Sequence, residues 1–562
     1  MNDIDSRVNK DSLTLWKEDG SRLIQQNHVE FQSLIVKSKS LLQRGKYEAA
    51  AVYAQIAANY AQLNHCGFFV STELEEVLLT IGRKTISSDI HHYHPSHKAG
   101  NTKHILHVST NISSIGGISR LMLRWIKQDN MRYHSVALTG QSPNEVPTNL
   151  RDAVRNSQGK IHILNGKSGG LIERARRLRE CTKDADIVVL HTWEYDVVPM
   201  IAFANRSESP PIIYTNNGDH WFWVGTTICD VVANLRDSGM RLSQERRGIE
   251  PQRNLLLPTV LEPIQRVISR VEAKQQIGIE QGSIMLLSIA RSVKYKTIDG
   301  VSFADAHIAL LNQYKQAILI VVGPGDSSED WSNAIQKTQG RIKVLGETNN
   351  TDVFYQAADI YVDSFPFVSI TSILEAGCYG VPAVSRYPYA SNACEILGAD
   401  MPGLTGNLIR VQNLDEYTMA LSRLVEDENL RLSIGELARS QIAANHIADN
   451  WQKALNNIYF SADTLSRVTK TVDFQSESLS EMFLGEPDIF LPSVNNTKIT
   501  TVIHWHLALM PIAERLSLWF TLVRKYGFHD NPLNSLLPQK LLVRYYSLRS
   551  RLKSFLKKVN LL

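Results

Sequence analysis

Residues 363–384 read DSFPFVSITSILEAGCYGVPAV and follow the apolar run IYV at 360–362. The pattern is a buried strand, a hydroxyl-rich turn carrying Ser369, Thr371 and Ser372, a helix carrying Glu375, and a second short apolar strand after Gly380. Hydroxyls and the free N–H groups of a helix start can receive diphosphate oxygens. A carboxylate one or two turns further in can accept hydrogen bonds from ribose hydroxyls. A plain strand, turn and helix with Glu375 as a solvated surface charge has the same pattern. Upstream, SIARSVKYK at 288–296 places Arg291 and Lys296 on the loop after another apolar run. Two cations at a strand end suit a departing diphosphate, whose charge grows as a glycosidic bond breaks. Lys294, between them, is read as a solubilising surface charge. Gly323 and Gly325 in VVGPGD let a loop pass close to a ligand, and equally serve a tight turn.

These residues need parallel strands to hold them. From His104 the chain alternates short apolar runs with amphipathic segments: HILHVST, YHSVAL, KIHIL, DIVVLH and PIIYTN read as strands of a first open parallel sheet. LLLPTVLEP near Pro258 reads as an exit connector. A second series, SIMLLSIA, AILIVVG, IKVLG, DIYVDS and VPAVS, gives a second sheet. The fold class expected is therefore α/β, with two Rossmann-like doubly wound domains, and ligands bind such sheets at the carboxyl ends of their strands. HTWEYD at 191–196 and TNNGDHWFWVG at 215–225 each follow a strand and join a histidine to carboxylates. His191, Asp219 and His220 can position a hydroxyl, and Trp193, Trp221 and Trp223 offer apolar faces to a sugar ring or lipid. Residues 229–248 read as the next helix, with Arg236, Arg246 and Arg247 as ordinary surface charges.

Composition sets the class. With 562 residues, 43% hydrophobic and 21% charged, the chain is globular and too long for one core. A net charge of +4 argues against a dedicated nucleic-acid binder. Five scattered cysteines form no Cys-x-x-Cys pair, which disfavours a zinc site and a disulfide framework and fits a reducing cytoplasm. The first residues lack an apolar signal core, and the longest apolar runs are too short to span a bilayer.

In order and spacing, these motifs resemble the donor half of retaining glycosyltransferases of the GT-B fold. In that family a strand leads to Arg-x4-Lys on the diphosphate, then to strand and glycine turns, then to a Glu-x7-Glu pair. Arg291 and Lys296 match the first element, and Glu375 matches the second glutamate, which holds the donor ribose. The first glutamate is replaced by Phe367. The resemblance spans about residues 104–460 and implies a GT-B hexosyltransferase using a nucleotide-sugar as co-substrate, with retention and with no metal or other cofactor required. It further implies that Gly116 and Gly117 form the glycine loop that approaches the donor phosphates. Asn217 stands where the family carries the histidine of a Thr-x-His-Gly turn, and His220 beside Asp219 is the nearest replacement. The site residues expected are then His220, Asp219, Arg291 and Lys296 for catalysis. Gly116, Gly117, Gly323, Ser369, Thr371, Ser372 and Glu375 bind donor with the two cations. His191, Trp193 and Asn217 bind acceptor, which is a glycan, a lipid-linked molecule or a protein. A non-catalytic sugar-nucleotide scaffold is the alternative that Phe367 and Asn217 keep open.

Both ends differ from this pattern. Residues 30–86 are helical in spacing, and Gly45, Tyr47, Ala50 and Ala57 resemble one tetratricopeptide unit, which docks against the rest of the chain or a protein partner. The histidine-rich stretch with His91, His92, His94 and His97 reads as a solvated linker. Residues 540–562 place Tyr545, Leu548, Leu552, Phe555 and Val559 on one helical stripe and seven cations without an acid elsewhere. That suits an anionic membrane surface, at about 1 kcal/mol per cation, or an acidic partner. The domains expected are a helical region with linker at 1–98, an acceptor domain at 99–262, a donor domain at 263–460 and a helical extension at 461–562. The location expected is cytoplasmic, with peripheral attachment to the inner membrane face.

Overall fold

A computed structural model of the chain describes residues 12–86, 103–113, 116–264, 266–295, 297, 300–325, 331–468 and 482–526. Lys296, the histidine-rich linker and the basic segment 540–562 lie outside these residues.

The first sheet contains β1 (His104–Ser109), β2 (Tyr133–Leu138), β3 (Ile161–Ile163), β4 (Ile187–Leu190), β5 (Ile212–Asn216), β6 (Val231–Asn234) and β7 (Asn254–Leu256). The second contains β8 (Ile284–Ile289), β9 (Ala317–Gly323), β10 (Ile342–Gly346), β11 (Ile360–Val362), β12 (Ala383–Arg386) and β13 (Leu408–Val411). Their orders are β3-β2-β1-β4-β5-β6-β7 and β10-β9-β8-β11-β12-β13, with every pairing parallel. This is the expected α/β architecture of two doubly wound domains. Each sheet is covered on both faces, as parallel sheets require. Met285, Leu287, Ile320 and Tyr361 feed one core, while Leu286, Leu319, Val321 and Ile360 feed the opposite one. The order reverses between β1 and β4 and between β8 and β11, so ligand crevices are expected after those four strands.

Three elements depart from the sequence reading. Residues 231–234, expected within a helix, form β6, because a four-residue apolar run buried on both faces has no period to reveal it. The connector near Pro258 begins with β7. Helix Ala448–Thr464, expected at the end of the donor domain, packs on the first sheet: Trp451, Leu455, Ile458 and Tyr459 share a core with Ile105, Trp125, Val189 and Ile213. The boundary expected at 460 therefore falls inside a helix that belongs to the first unit. The chain thus passes between the units twice, and the passages touch. Leu261 N donates to His446 O at 3.0 Å, and the His446 ring nitrogens lie 2.7 Å from the carbonyl oxygens of Thr259 and Pro402.

The N-terminal hairpin is part of the first core. Helix Ser12–Gln43 has 32 residues, nearly the length of a whole tetratricopeptide repeat of about 34, so the pair is not an ordinary unit. In helix Tyr47–Leu63 every residue from Ala49 to Ala61 is buried, against helices Thr72–Thr85, Leu171–Cys181 and Ile499–Leu507. Three carboxylates, Glu48 half-buried and Glu75 and Asp488 buried, tie this region to the sheet domain. Glu48 accepts from the first N–H groups of helix Leu171–Cys181, at Leu171 and Ile172. Glu75 accepts from the N–H of Gly225, Thr226 and Thr227 and from both threonine hydroxyls. Asp488, in the C-terminal extension, pairs with both terminal nitrogens of Arg246 and with His65.

Candidate functional site

The loops after β1, β4, β8 and β11 carry most of the residues singled out from sequence, and they converge where the two sheets face each other. Gly116, at φ +140°, sets the turn into helix Gly117–Gln128, a backbone conformation that L side chains rarely adopt. A side chain added at Gly117 would meet Thr371 Oγ1 at 3.7 Å, so the glycine turn of the first domain lies directly against helix Ile370–Cys378 of the second. Ser369 precedes that helix, with its N–H donating to Asp363 Oδ1 at 3.0 Å and its hydroxyl 3.2 Å from Ser372 Oγ. One turn further, Glu375 is buried at the domain contact and is paired: Arg124 Nη2 donates to Oε1 at 2.7 Å, and Arg120 Nη1 lies 3.3 Å from both oxygens. The solvated-charge reading of Glu375 is excluded.

After β8, Arg291 is exposed. Lys294 is not the surface charge expected from sequence. The short turn Ser292–Lys294 brings its Nζ within 2.9 Å of Val368 O, on the hydroxyl-rich turn. Burial depresses its ammonium to about 8, against the raising influence of Asp363. Asp363, at the end of β11, is fully buried, and burial pushes its carboxyl up to about 7, against its hydrogen bonds and the charge of Lys294. Gly323 ends β9 at φ +123°, where an added side chain would stand 2.2 Å from Ala290 O. The glycine is needed because β9 abuts the turn that carries Arg291. Phe367 packs against the apolar cluster that contains Tyr389 and Phe490, and Ser364 Oγ donates to its carbonyl oxygen at 2.6 Å.

On the first domain, His220 is partly exposed, and its Nδ1 is 3.4 Å from Asp219 Oδ1. Burial lowers its pKa, so the ring is neutral at pH 7. Asp219 is committed elsewhere, since Arg236 takes both its oxygens, at 2.6 and 2.8 Å. Burial opposes ionisation there, and the Arg236 charge and hydrogen bonds overcome it, holding Asp219 well below the usual carboxylate range. Arg236 and Arg247, expected at the surface, are among the most deeply buried side chains. Arg247 donates to the Asp219 and Trp221 carbonyl oxygens and lies over the Trp223 ring at 5.1 Å. Trp223 is core, stacked on Tyr214 at 4.0 Å, and is not a sugar platform.

His191, expected to bind acceptor, is fully buried and turns into the sheet. Its Nε2 lies 2.9 Å from His107 Nδ1, and His107 Nε2 lies 2.9 Å from His134 Nδ1. His134 Nε2 is 2.8 Å from Asp129 O, which only accepts, so the donor direction of the whole chain is set from that end. Burial lowers all three, His191 to about 3, and all are neutral. The chain ends beside Thr215 Oγ1, 3.2 Å from His191 Nδ1; that hydroxyl donates to Leu190 O at 2.7 Å, and Asn217 Nδ2 donates to it at 3.0 Å. Asn217 thus stays at the strand end, and Trp193, 37% exposed, reaches solvent beside Tyr195.

The sequence reading missed Arg120, Arg124, Lys294 and Asp363. The two arginines had a usable signal: they stand four apart, on one face of the helix that follows the glycine turn.

Residues 269–441 match the family model described as glycosyl transferases group 1, a segment containing the whole run from Arg291 to Glu375. A D-inositol 3-phosphate glycosyltransferase of Corynebacterium aurimucosum is 28% identical over 211 residues, 34% of this chain and 46% of its own length. An alpha-monoglucosyldiacylglycerol synthase of Streptococcus pneumoniae is 27% identical over 219 residues, 36% and 47% of the two chains. The chain spans about half the length of the curated relatives it matches. Among solved structures, a glycosyltransferase from Rickettsia africae covers 65% of this chain and 100% of its own at 13% identity, with a TM-score of 0.49. Anabaena HepE in complex with UDP and glucose covers 63% and 98% at 16% identity, with a TM-score of 0.48.

Proposed function

We propose that the chain transfers a hexose from a nucleotide-activated donor to a hydroxyl acceptor, with retention at the anomeric carbon and no required metal. The observation that carries this is the meeting of the two crevices: the glycine turn at Gly116 and Gly117 lies against Thr371, one turn from Glu375, inside a segment that matches a glycosyltransferase family model. In this reading Arg291 and Lys296 stabilise the departing diphosphate. Lys294 adds a third cation beside the hydroxyl-rich turn, where charge stabilisation in a desolvated site acts most strongly. Ser369, Thr371, Ser372 and the N–H groups at the start of helix Ile370–Cys378 receive phosphate oxygens. Glu375 accepts from the ribose. His220, as a neutral ring, hydrogen-bonds the sugar or the incoming hydroxyl, and Asp219 only orients it. Front-side attack lets the leaving phosphate take the acceptor proton, so no second carboxylate base is needed.

Phe367, in the place of a carboxylate, favours a second reading, a scaffold that binds sugar nucleotide without turning it over. Incubating the protein with UDP-, GDP- and ADP-hexoses and following nucleotide release separates the two. Release with one donor, lost in Arg291→Ala and Glu375→Ala, is the expected result. Tight nucleotide binding without release would establish the scaffold. Release unchanged by both substitutions would reject the site.

A further inference from the structure

We propose that Arg120 and Arg124 are positioning residues for the donor. From the first domain they fix the Glu375 carboxylate in the orientation that meets the ribose, so nucleotide is held by the closed pair of domains and not by the second domain alone. This rests on the donor-site reading above.

Helix Gly117–Gln128 buries Leu121, Met122, Trp125 and Ile126 against its own domain, which leaves Arg120 and Arg124 together on the face turned to the cleft. Both reach the same carboxylate. Its side chain is 6% exposed, against 13% for Arg124 and 29% for Arg120. A charge so desolvated needs a counter-charge, and helix Ile370–Cys378, ITSILEAGC, contains no basic residue. Its charged partners come from across the cleft, while Tyr355 of its own domain offers only a neutral hydroxyl, so the Glu375 charge is compensated only when the cleft is closed.

The arginines and the ribose do not compete for the carboxylate. An ionised carboxylate has about four lone-pair sites. Arg124 engages Oε1 at 2.7 Å, while Arg120 divides one N–H between both oxygens at 3.3 Å, which leaves acceptor capacity for a hydroxyl. A hydroxyl donating to the carboxylate brings no formal charge and takes a lone pair the guanidinium groups leave open, so ribose adds to the arginine pair and does not displace it. Two guanidinium groups against one carboxylate also leave one unit of positive charge at the cleft, on the side from which a diphosphate approaches Thr371.

The test is a double-mutant cycle on nucleotide affinity, titrating UDP, GDP and ADP by calorimetry into wild type, Arg124→Met, Glu375→Gln and the double variant. The nucleotide that wild type binds is expected to bind Arg124→Met about tenfold more weakly, a loss of about 1.4 kcal/mol. Arg124→Lys should recover part of the loss, and the double variant should bind no worse than Glu375→Gln alone, because the arginine acts through the carboxylate. Thermal midpoints of all four proteins separate loss of affinity from loss of fold, and Arg120→Met gives a milder second variant. Unchanged or tighter binding in Arg124→Met and Arg120→Met, while Glu375→Gln loses affinity, overturns the positioning role and leaves the donor site standing. Losses that simply add in the double variant overturn it too. Absence of any nucleotide binding by folded wild type removes the donor-site reading and this inference with it.

Discussion

Arg236 holds Asp219 through two hydrogen bonds, at 2.6 and 2.8 Å, and with the same guanidinium donates to the carbonyl oxygens of Ile396 and Gly398 in the opposite domain. The carboxylate beside His220 therefore belongs to a tie between domains. Its ionisation is fixed by that partner, and it is not free to serve as a base.

Removing one member of a buried pair strands the other, which typically costs about 3 kcal/mol or more. Asp219→Asn is expected to lose less than that, about 1–3 kcal/mol in urea unfolding, because Arg236 stays charged at almost no exposure but keeps Asp400 Oδ1 at 3.1 Å as a second carboxylate. The double change Asp219→Asn, Arg236→Met should recover part of the loss. Equal stability of wild type and Asp219→Asn would contradict the tie.

Lys294 gives the site an alkaline limit. Its ammonium is depressed to about 8, so it is charged below that pH and neutral above it. Nucleotide affinity is expected to fall between pH 7 and pH 9, by up to about tenfold per unit once the charge is lost. Lys294→Met should bind more weakly at pH 7 and show no such slope, and Lys294→Arg should keep affinity at pH 9. An identical alkaline loss in Lys294→Met would assign the titration to another group.

The buried chain of His107, His134 and His191 predicts acid lability of the first domain. Each folded-state pKa lies below the ordinary 6.5, because burial disfavours the charged ring. In the unfolded chain these rings take protons near 6.5, so below that pH the unfolded state binds more protons and stability falls as pH falls. Their contribution is complete above about pH 7 and is lost progressively below. The urea midpoint is expected to drop between pH 7.5 and pH 5.5. A His107→Gln variant, destabilised at pH 7.5 by its broken hydrogen bonds, should show a shallower slope. A flat profile in wild type would contradict neutral burial.

The sequence carried the two sheets well, because parallel strands buried on both faces leave continuous apolar runs such as MLLSI and ILIVV, and the chemistry sits directly after them. β6 escaped because VVAN is too short to show a period. Glu375, Thr371 and Gly117 were legible by type and spacing, since backbone geometry alone brings a turn and a helix start together. Arg236, Arg247 and Lys294 were not. A cation reads as solvated until its partners are known, and the partners here are carbonyl oxygens or carboxylates far along the chain, Ile396 and Gly398 for Arg236 and Val368 for Lys294. His191 misled for the same reason, since a histidine at a strand end can face the cleft or the sheet, and only the neighbouring rings of His107 and Trp125 decide.

The paired passages at Leu261 and His446 restrict how this molecule can breathe. A single linker would let the halves slide and spin. Two adjacent strands of backbone, hydrogen-bonded to each other, pin the joint like the barrel of a door hinge, and a buried cluster joining Ile24, Phe69 and Leu242 to Tyr389, Cys394 and Ile396 fastens the halves at a second place. Any opening would have to part Gly117 from Thr371, the two arginines from Glu375, and Arg236 from residues 396 and 398 together. Opening the cleft and dismantling the candidate site are then one event.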